Sequence, residues 1–333
     1  MTIHKLNDEV GETMINVGKK ISAIPIPTPF PVGDVNAYVI KGDALTLIDA
    51  GIKTEEAKQA LIAGLNDLHL RLDDIEQIVI THHHVDHVGG IDFFGEDVPV
   101  IGHEYNNRWM VPSDEFMNHY NHFFKKLALE MGLPPAFYNK VEKIAGGEAF
   151  TCSRSLTNTF KEGDEVPGLP GWVVYETPGH ALGHVVLFRE SDGSLIGGDM
   201  LLQHVSPNPI IEPPLQEGEE RLKSQLLLND SLMKIKQLPI SAVYAGHGGI
   251  IFDPDTLIEK RLASQHGRAM RVRSMLEEEP STVFQTCQKL FPNIYKKQLG
   301  LTLSETLAQF DYLLENDLIQ WEHTKEGIIY FPK

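Results

Sequence analysis

Cysteine is scarce: only Cys152 and Cys287 occur in 333 residues, which excludes a disulfide framework and a C-x-x-C metal clip. No apolar run approaches the roughly 18 residues that a membrane-spanning helix needs. The first twenty residues, Met1 to Lys20, carry charges throughout and lack the apolar stretch of a signal peptide. A cytoplasmic location with no membrane partner is therefore expected. Positive charge is also short, with 29 Lys and Arg against 46 Asp and Glu and a formal net charge of −17. Such a surface opposes non-specific attachment to phosphate backbones or anionic lipid. Apolar residues, at 42%, suffice for the core of one large domain or two smaller ones.

Histidine is plentiful, with 15 residues, and its placement follows the pattern of elements. Proline occupies every second position from Pro25 to Pro31, so Ile21 to Pro31 suits an extended edge or arm. Val35 to Ile40 and Leu45 to Ile48, separated by Lys41-Gly42-Asp43-Ala44, read as a hairpin ending in Asp49-Ala50-Gly51. Thr54 then caps a helix with Ala57, Leu61, Leu65 and Leu68 at helical spacing, and Ile75 to Ile80 reads as a strand. Strands alternating with helices predict an α/β domain.

That strand runs into T-H-H-H-V-D-H-V-G-G, which places His82, His84, Asp86 and His87 within six residues. In extended backbone, residues i and i+2 share a side, so His82 and His84 can converge on one cation while Asp86 and His87, at the turn, reach a second. His83 has the opposite parity and reads as a bystander. Three further sites follow apolar strand-like runs: His180 in T-P-G-H, Asp199 after Leu195 to Gly198, and His247 after Ala242 to Gly246. Ends of strands are where open α/β sheets place their ligands. Five imidazoles and two carboxylates suffice for two metals with a shared carboxylate.

Asp49, the His82 to His87 motif, His180, Asp199 and His247 together, in this order, resemble the metallo-β-lactamase superfamily over Val35 to Phe252. The resemblance implies an αββα sandwich with metals at one edge of its two sheets. It implies that His82, His84 and His180 bind one metal, that Asp86, His87 and His247 bind the other, and that Asp199 bridges them. Asp49 would orient a ligand imidazole from behind. Antibiotic-cleaving members of the common subclass carry cysteine where this chain has Asp199 and lack a ligand at the position of His87. The form T-H-x-H-x-D-H-x-G-G with T-P-G-H-x-x-G-H looks instead like the branch with glyoxalase II, quorum-signal lactonases, polyketide thioesterases and lactamase-like endoribonucleases. His184 belongs to that string as a structural hydrogen bonder.

Two divalent cations roughly 3.5 to 4 Å apart can hold a solvent molecule and lower its pKa to about 7, which yields a bridging hydroxide at neutral pH. Mixed nitrogen and oxygen ligation suits zinc first, with iron or manganese as alternatives. Asp86 and Asp199 are then the catalytic carboxylates.

On this reading residues 1–253 form the catalytic domain, with a helical insertion at about 104–147. In that insertion Phe116, Tyr120, Phe123, Phe124, Leu127 and Met131 recur at helical spacing, and Phe137 to Ile144 follows as a second helical run. The aromatic face is expected either to line the substrate pocket as a lid or to pack in the core or against a dimer partner. His119 and His122 are not expected to bind metal. The proline-rich V-S-P-N-P-I-I-E-P-P after Asp199 reads as a pocket wall or a rigid connector. Residues 254–333 read as a C-terminal helical, winged-helix-like region: helices at about Asp255 to Glu279, Thr282 to Leu290 and Ser304 to Asn316, then a hairpin around Lys325-Glu326-Gly327.

The reading is a binuclear metallohydrolase acting on a small-molecule acyl substrate, an ester, thioester or lactone. A single-strand endoribonuclease using the same metals is the rival, and a non-catalytic binding protein on the same fold the weaker one. Nucleic acid is disfavoured because Ser304 to Asp317 carries Glu305, Asp311, Glu315 and Asp317 and no basic residue. The Lys260 to Arg273 helix has basic charge but no aromatic residue on which a base could stack.

Overall fold

The computed structural model describes residues 21–138 and 150–333. Most of the second helical run expected at Phe137 to Ile144 lies outside them, as do the first twenty residues.

Six strands form the first sheet in sequence order: β1 (Ile21–Ile26), β2 (Val35–Lys41), β3 (Leu45–Ile48), β4 (Gln77–Val79), β5 (Val100–His103) and β6 (Asn158–Phe160). β1 lies on the edge, antiparallel to β2, where Pro25 costs no ladder bond to a further strand. The second sheet has the order β10-β9-β8-β7, from β7 (Trp172–Glu176), β8 (Val185–Arg189), β9 (Ser194–Gly198) and β10 (Ala242–Ala245).

Side-chain alternation makes the layers. In β2, Ala37 and Val39 join a cluster with Ala57, Leu61 and Leu65 of α1 (Glu55–Asp67). Tyr38 and Ile40 instead face the second sheet, meeting Val174, Val185, Leu187 and Ile196. The other faces of β8 and β9, carrying Val186, Phe188 and Leu195, pack on α5 (Ser224–Ile235) through Leu228, Leu232 and Ile235. Helix, sheet, sheet, helix is the expected αββα sandwich, and α1 is capped by Thr54, whose side chain accepts from the Ala57 amide.

Along the chain, α2 (Val85–Val88) follows β4, and α3 (Asn107–Met110) and α4 (Asp114–Glu130) come between β5 and β6. The C-terminal region supplies α6 (Pro254–Glu278), α7 (Val283–Leu290), α8 (Leu299–Glu315) and the antiparallel hairpin of β11 (Ile319–Thr324) and β12 (Gly327–Pro332). α8 begins five residues before the expected Ser304, because Leu299 and Leu303 bury themselves against this region's core.

The aromatic face of α4 has a specific partner. Tyr120 and Phe124 are buried with Leu276, Phe284, Leu303 and Phe310 of the C-terminal helices, and Phe116 and Phe123 pack on the same cluster. The pocket-lining role expected for Phe116, Tyr120, Phe123 and Phe124 gives way to the core-packing alternative: burial against α6, α7 and α8 removes Tyr120 and Phe124 from any open cleft. Phe116 and Tyr120 also meet Trp109, with rings 5.1 Å and 5.9 Å from its own, and of the two Phe116 is the less buried.

Candidate metal centre

The candidate residues come from the ends of strands, and the two sheets meet there. The Val185 amide donates to the Thr81 carbonyl at 2.9 Å. After β4 the chain stays extended through His82 and His84, then turns into α2 with Asp86 and His87. His180 follows β7, Asp199 follows β9 and His247 follows β10.

Among the described residues, three overlapping groups could hold metal ions: His82, His84 and His180; His82, His87 and Asp199; and Asp86, His87 and His247. Asp199 is central. One of its oxygens lies 3.5 Å from His87 Nε2, and the other lies 3.5 Å from His180 Nε2 and 3.6 Å from His247 Nε2. Asp86 stands 3.4 Å from His247 Nε2. All seven candidates expected from the sequence are thereby brought together.

The outward-facing nitrogens of three imidazoles have fixed partners. His87 Nδ1 lies 2.8 Å from Asp49 Oδ2, His180 Nδ1 donates to the Asn208 carbonyl at 2.9 Å, and His247 Nδ1 to the Asp34 carbonyl at 2.8 Å. With Nδ1 donating outward, Nε2 is the nitrogen directed to the centre. Asp49 also accepts from the Thr81 amide and hydroxyl, each at 2.8 Å, and Thr81 Oγ1 lies 3.0 Å from His82 Nδ1.

Inside this ring, four buried atoms have no hydrogen-bond partner among the described residues: Nε2 of His87, His180 and His247, and Asp199 Oδ1. Buried polar atoms without partners are costly, and lone pairs converging from imidazole and carboxylate fit divalent cations. Burial, reinforced by neighbouring imidazoles, holds His82 and His84 well below the ordinary histidine range, so both are neutral and able to ligate. Burial would raise the Asp199 carboxyl, but His87, His247 and His180 outweigh it and keep Asp199 ionised.

His184 takes the structural role expected of it. Its Nε2 accepts from the Asp199 amide at 3.1 Å, its Nδ1 lies 2.8 Å from Thr177 Oγ1, and burial lowers its pKa to about 3. His83 stands outside the three groups, as its parity implies, yet it is buried, with its ring stacked on Trp109 at 4.8 Å and 4°. Trp109 and Glu212, which accepts from its indole at 2.9 Å, escape sequence reasoning because neither belongs to a motif. The backbone acceptors of Asp34 and Asn208 carry no residue-type signal at all.

Comparison with known proteins agrees with this geometry. The family model of the metallo-beta-lactamase superfamily matches residues 30–247. The protein named "Probable metallo-hydrolase YqjP" of Bacillus subtilis (strain 168) is 46% identical over 304 residues, spanning 91% of this chain and 95% of its own. A hydroxyacylglutathione hydrolase of Bdellovibrio bacteriovorus is 25% identical over 181 residues, covering 52% of this chain and 49% of its own. Among solved structures, a metallo-beta-lactamase family protein from Thermus thermophilus superimposes with a TM-score of 0.76 at 26% identity, over 94% of this chain and 98% of that one. With the sandwich, the strand-end histidines and these relatives in agreement, the chain belongs to the metallo-beta-lactamase superfamily and is one of its metal-dependent hydrolases.

Proposed function

We propose that this metallohydrolase binds two divalent cations, zinc foremost, and hydrolyses a small acyl substrate: an ester, thioester or lactone. The observation that carries the reading is the position of Asp199, with oxygens directed to three imidazoles of two different groups. His82, His84 and His180 would hold one cation, Asp86, His87 and His247 the other, and Asp199 both. When bound, such a pair supplies acidified water and positive charge opposite a developing oxyanion.

The chain's own contribution is orientation. Asp49, Asn208 and Asp34 hold the Nδ1 protons of His87, His180 and His247 outward. His184 fixes the Asp199 backbone so that its carboxylate stays between the two groups. Such fixed geometry lowers the reorganisation needed when charge develops.

Electrostatics favours the acyl reading over RNA. On α6, Arg268 pairs with Glu305 at 2.9 Å, Arg273 pairs with Glu277 at 2.9 Å, and Arg261 donates to the Leu202 and Gln203 carbonyls. A strip engaged within its own chain has less charge for phosphates. The Bdellovibrio relative is named for an acyl compound, which supports the same choice.

The test is a panel of esters, thioesters, lactones and single-stranded RNA presented to metal-replete protein. Turnover of at least one acyl substrate, abolished in Asp199→Ala with the fold retained by circular dichroism, is expected. Efficient RNA cleavage, lost in Asp199→Ala and weakened by charge reversal at Arg268, Arg271 and Arg273, would establish the rival.

A further inference from the structure

Glu212 is a buried carboxylate that none of the three histidine and aspartate groups includes. It lies in the proline-rich loop between Asp199 and α5, and three donors from two other segments converge on it. Oε1 accepts from the Leu182 amide at 2.7 Å, and Oε2 accepts from Trp109 Nε1 at 2.9 Å and faces Arg108 Nη2 at 3.4 Å. Burial pushes its carboxyl up, while the Leu182 amide and Arg108 oppose that rise. An apolar residue would fill this place at lower desolvation cost, so stability alone does not account for it.

Its donors share one neighbour, the first candidate group. Leu182 is two residues from His180. Trp109 stacks on His83, which stands between His82 and His84. Asn208, in the same loop as Glu212, takes the His180 Nδ1 proton. The loop thus grips His180 twice, at its ring through Asn208 and at the following backbone through Glu212.

We propose that Glu212 is a positioning residue for the His82, His84 and His180 half of the metal centre, fixing the His180 loop through the Leu182 amide and Trp109 against His83. This rests on those three histidines being ligands. A glutamine at this position would accept with only one atom and turn its NH2 toward the other donor, so either Leu182 or Trp109 would lose its partner.

The experiment is a chelator titration of the metal-loaded full chain, with metal per chain read by elemental analysis. Wild-type protein must first hold two metals; if it does not, the ligand reading fails, whatever Glu212 does. Glu212→Gln should then release one metal at a roughly tenfold lower chelator concentration, the lower end for outer partners of ligands. The other metal should leave as in wild type. Glu212→Asp keeps the charge for Arg108 but is too short to reach both other donors, so it should show the same selective release. Trp109→Phe, which retains the ring on His83, should hold both metals more tightly than either Glu212 variant. Release of both metals together in step with a falling Tm, wild-type retention in both Glu212 variants, or failure of both to fold would each make Glu212 a framework residue and overturn the proposal.

Discussion

Asp49 and His87 share a buried 2.8 Å hydrogen bond between Oδ2 and Nδ1, and the aspartate reaches it from a backbone φ of 56°. Few residues without glycine's freedom occupy that left-handed region, and aspartate is among those that tolerate it. The conformation turns Oδ1 back to the Thr81 amide while Oδ2 accepts from both the Thr81 hydroxyl and the imidazole. Strain of this kind, of order 1–3 kcal/mol, persists where surrounding bonds over-determine the backbone.

Asp49→Asn should therefore weaken metal retention by roughly 10- to 100-fold, because the amide can no longer accept from Thr81 and His87 with both ends. Dialysis against a graded series of metal buffers measures this. Retention equal to wild type would mean that the imidazole is oriented by packing alone.

Gly246 provides a second handle on the centre. A Cβ there would overlap Asp199 Oδ1 and stand 3.0 Å from His87 Cε1, so the aspartate must shift to make room. Misplacement of about 1 Å near reacting groups can cost roughly 100-fold in rate. Gly246→Ala should lower kcat by that order with circular dichroism unchanged, and near-normal kcat would show that Asp199 has slack.

His184 contributes to the pH dependence of stability, together with the buried His82, His83 and His84, whose pKa values are lowered in the same sense. The folded pKa of His184, about 3, lies below the ordinary 6.5 because the ring is buried. Between those values the unfolded chain binds a proton that the folded chain refuses. The share of stability due to this ring is thus fully present above about pH 6.5 and falls by roughly 1.4 kcal/mol per pH unit as the pH drops toward 3. Denaturant unfolding of chelator-treated protein at pH 7 and pH 5 should show the loss, and His184→Gln should lessen the slope by that share. An unchanged slope in that variant would assign the acid sensitivity to other groups.

The candidate centre was legible because each of its residues follows a local signal, an apolar strand running into His, Asp or Gly. His82, Asp199 and His247 need no distant information to be suspected. Their orienting partners were less visible. Asp34 and Asn208 act through main-chain carbonyls, which any residue type supplies. Tertiary contact also moved boundaries: the Leu299-Gly300-Leu301 start of α8 contains a poor helix former, yet Leu299 and Leu303 join the C-terminal core, and the Leu301 carbonyl accepts from Asn208. Periodicity identified the aromatic stripe on α4 but carried no information about which surface it would meet.

That surface sets the last prediction. Phe124 is 1% exposed among residues of α6, α7 and α8, and its ring lies 4.6 Å from that of Tyr120. Truncation would leave a cavity between α4 and the C-terminal helices, which other contacts hold in place: the Phe284 amide of α7 donates to the Met131 carbonyl at the end of α4 at 3.0 Å, and Arg221 of the loop before α5 grips Asp311 of α8 with both guanidinium ends. A cavity that cannot collapse carries the fuller cost, about 3–5 kcal/mol for Phe→Ala. Phe124→Ala should therefore lower the unfolding free energy by that amount while metal content and substrate preference stay as in wild type, since the ring packs in the C-terminal core and not among the candidate ligands. Phe116→Ala is the contrast. Its ring leans on Trp109 and through it on His83, so it should change KM at smaller cost in stability. A changed substrate preference in Phe124→Ala, with stability intact, would restore the lid reading of the insertion.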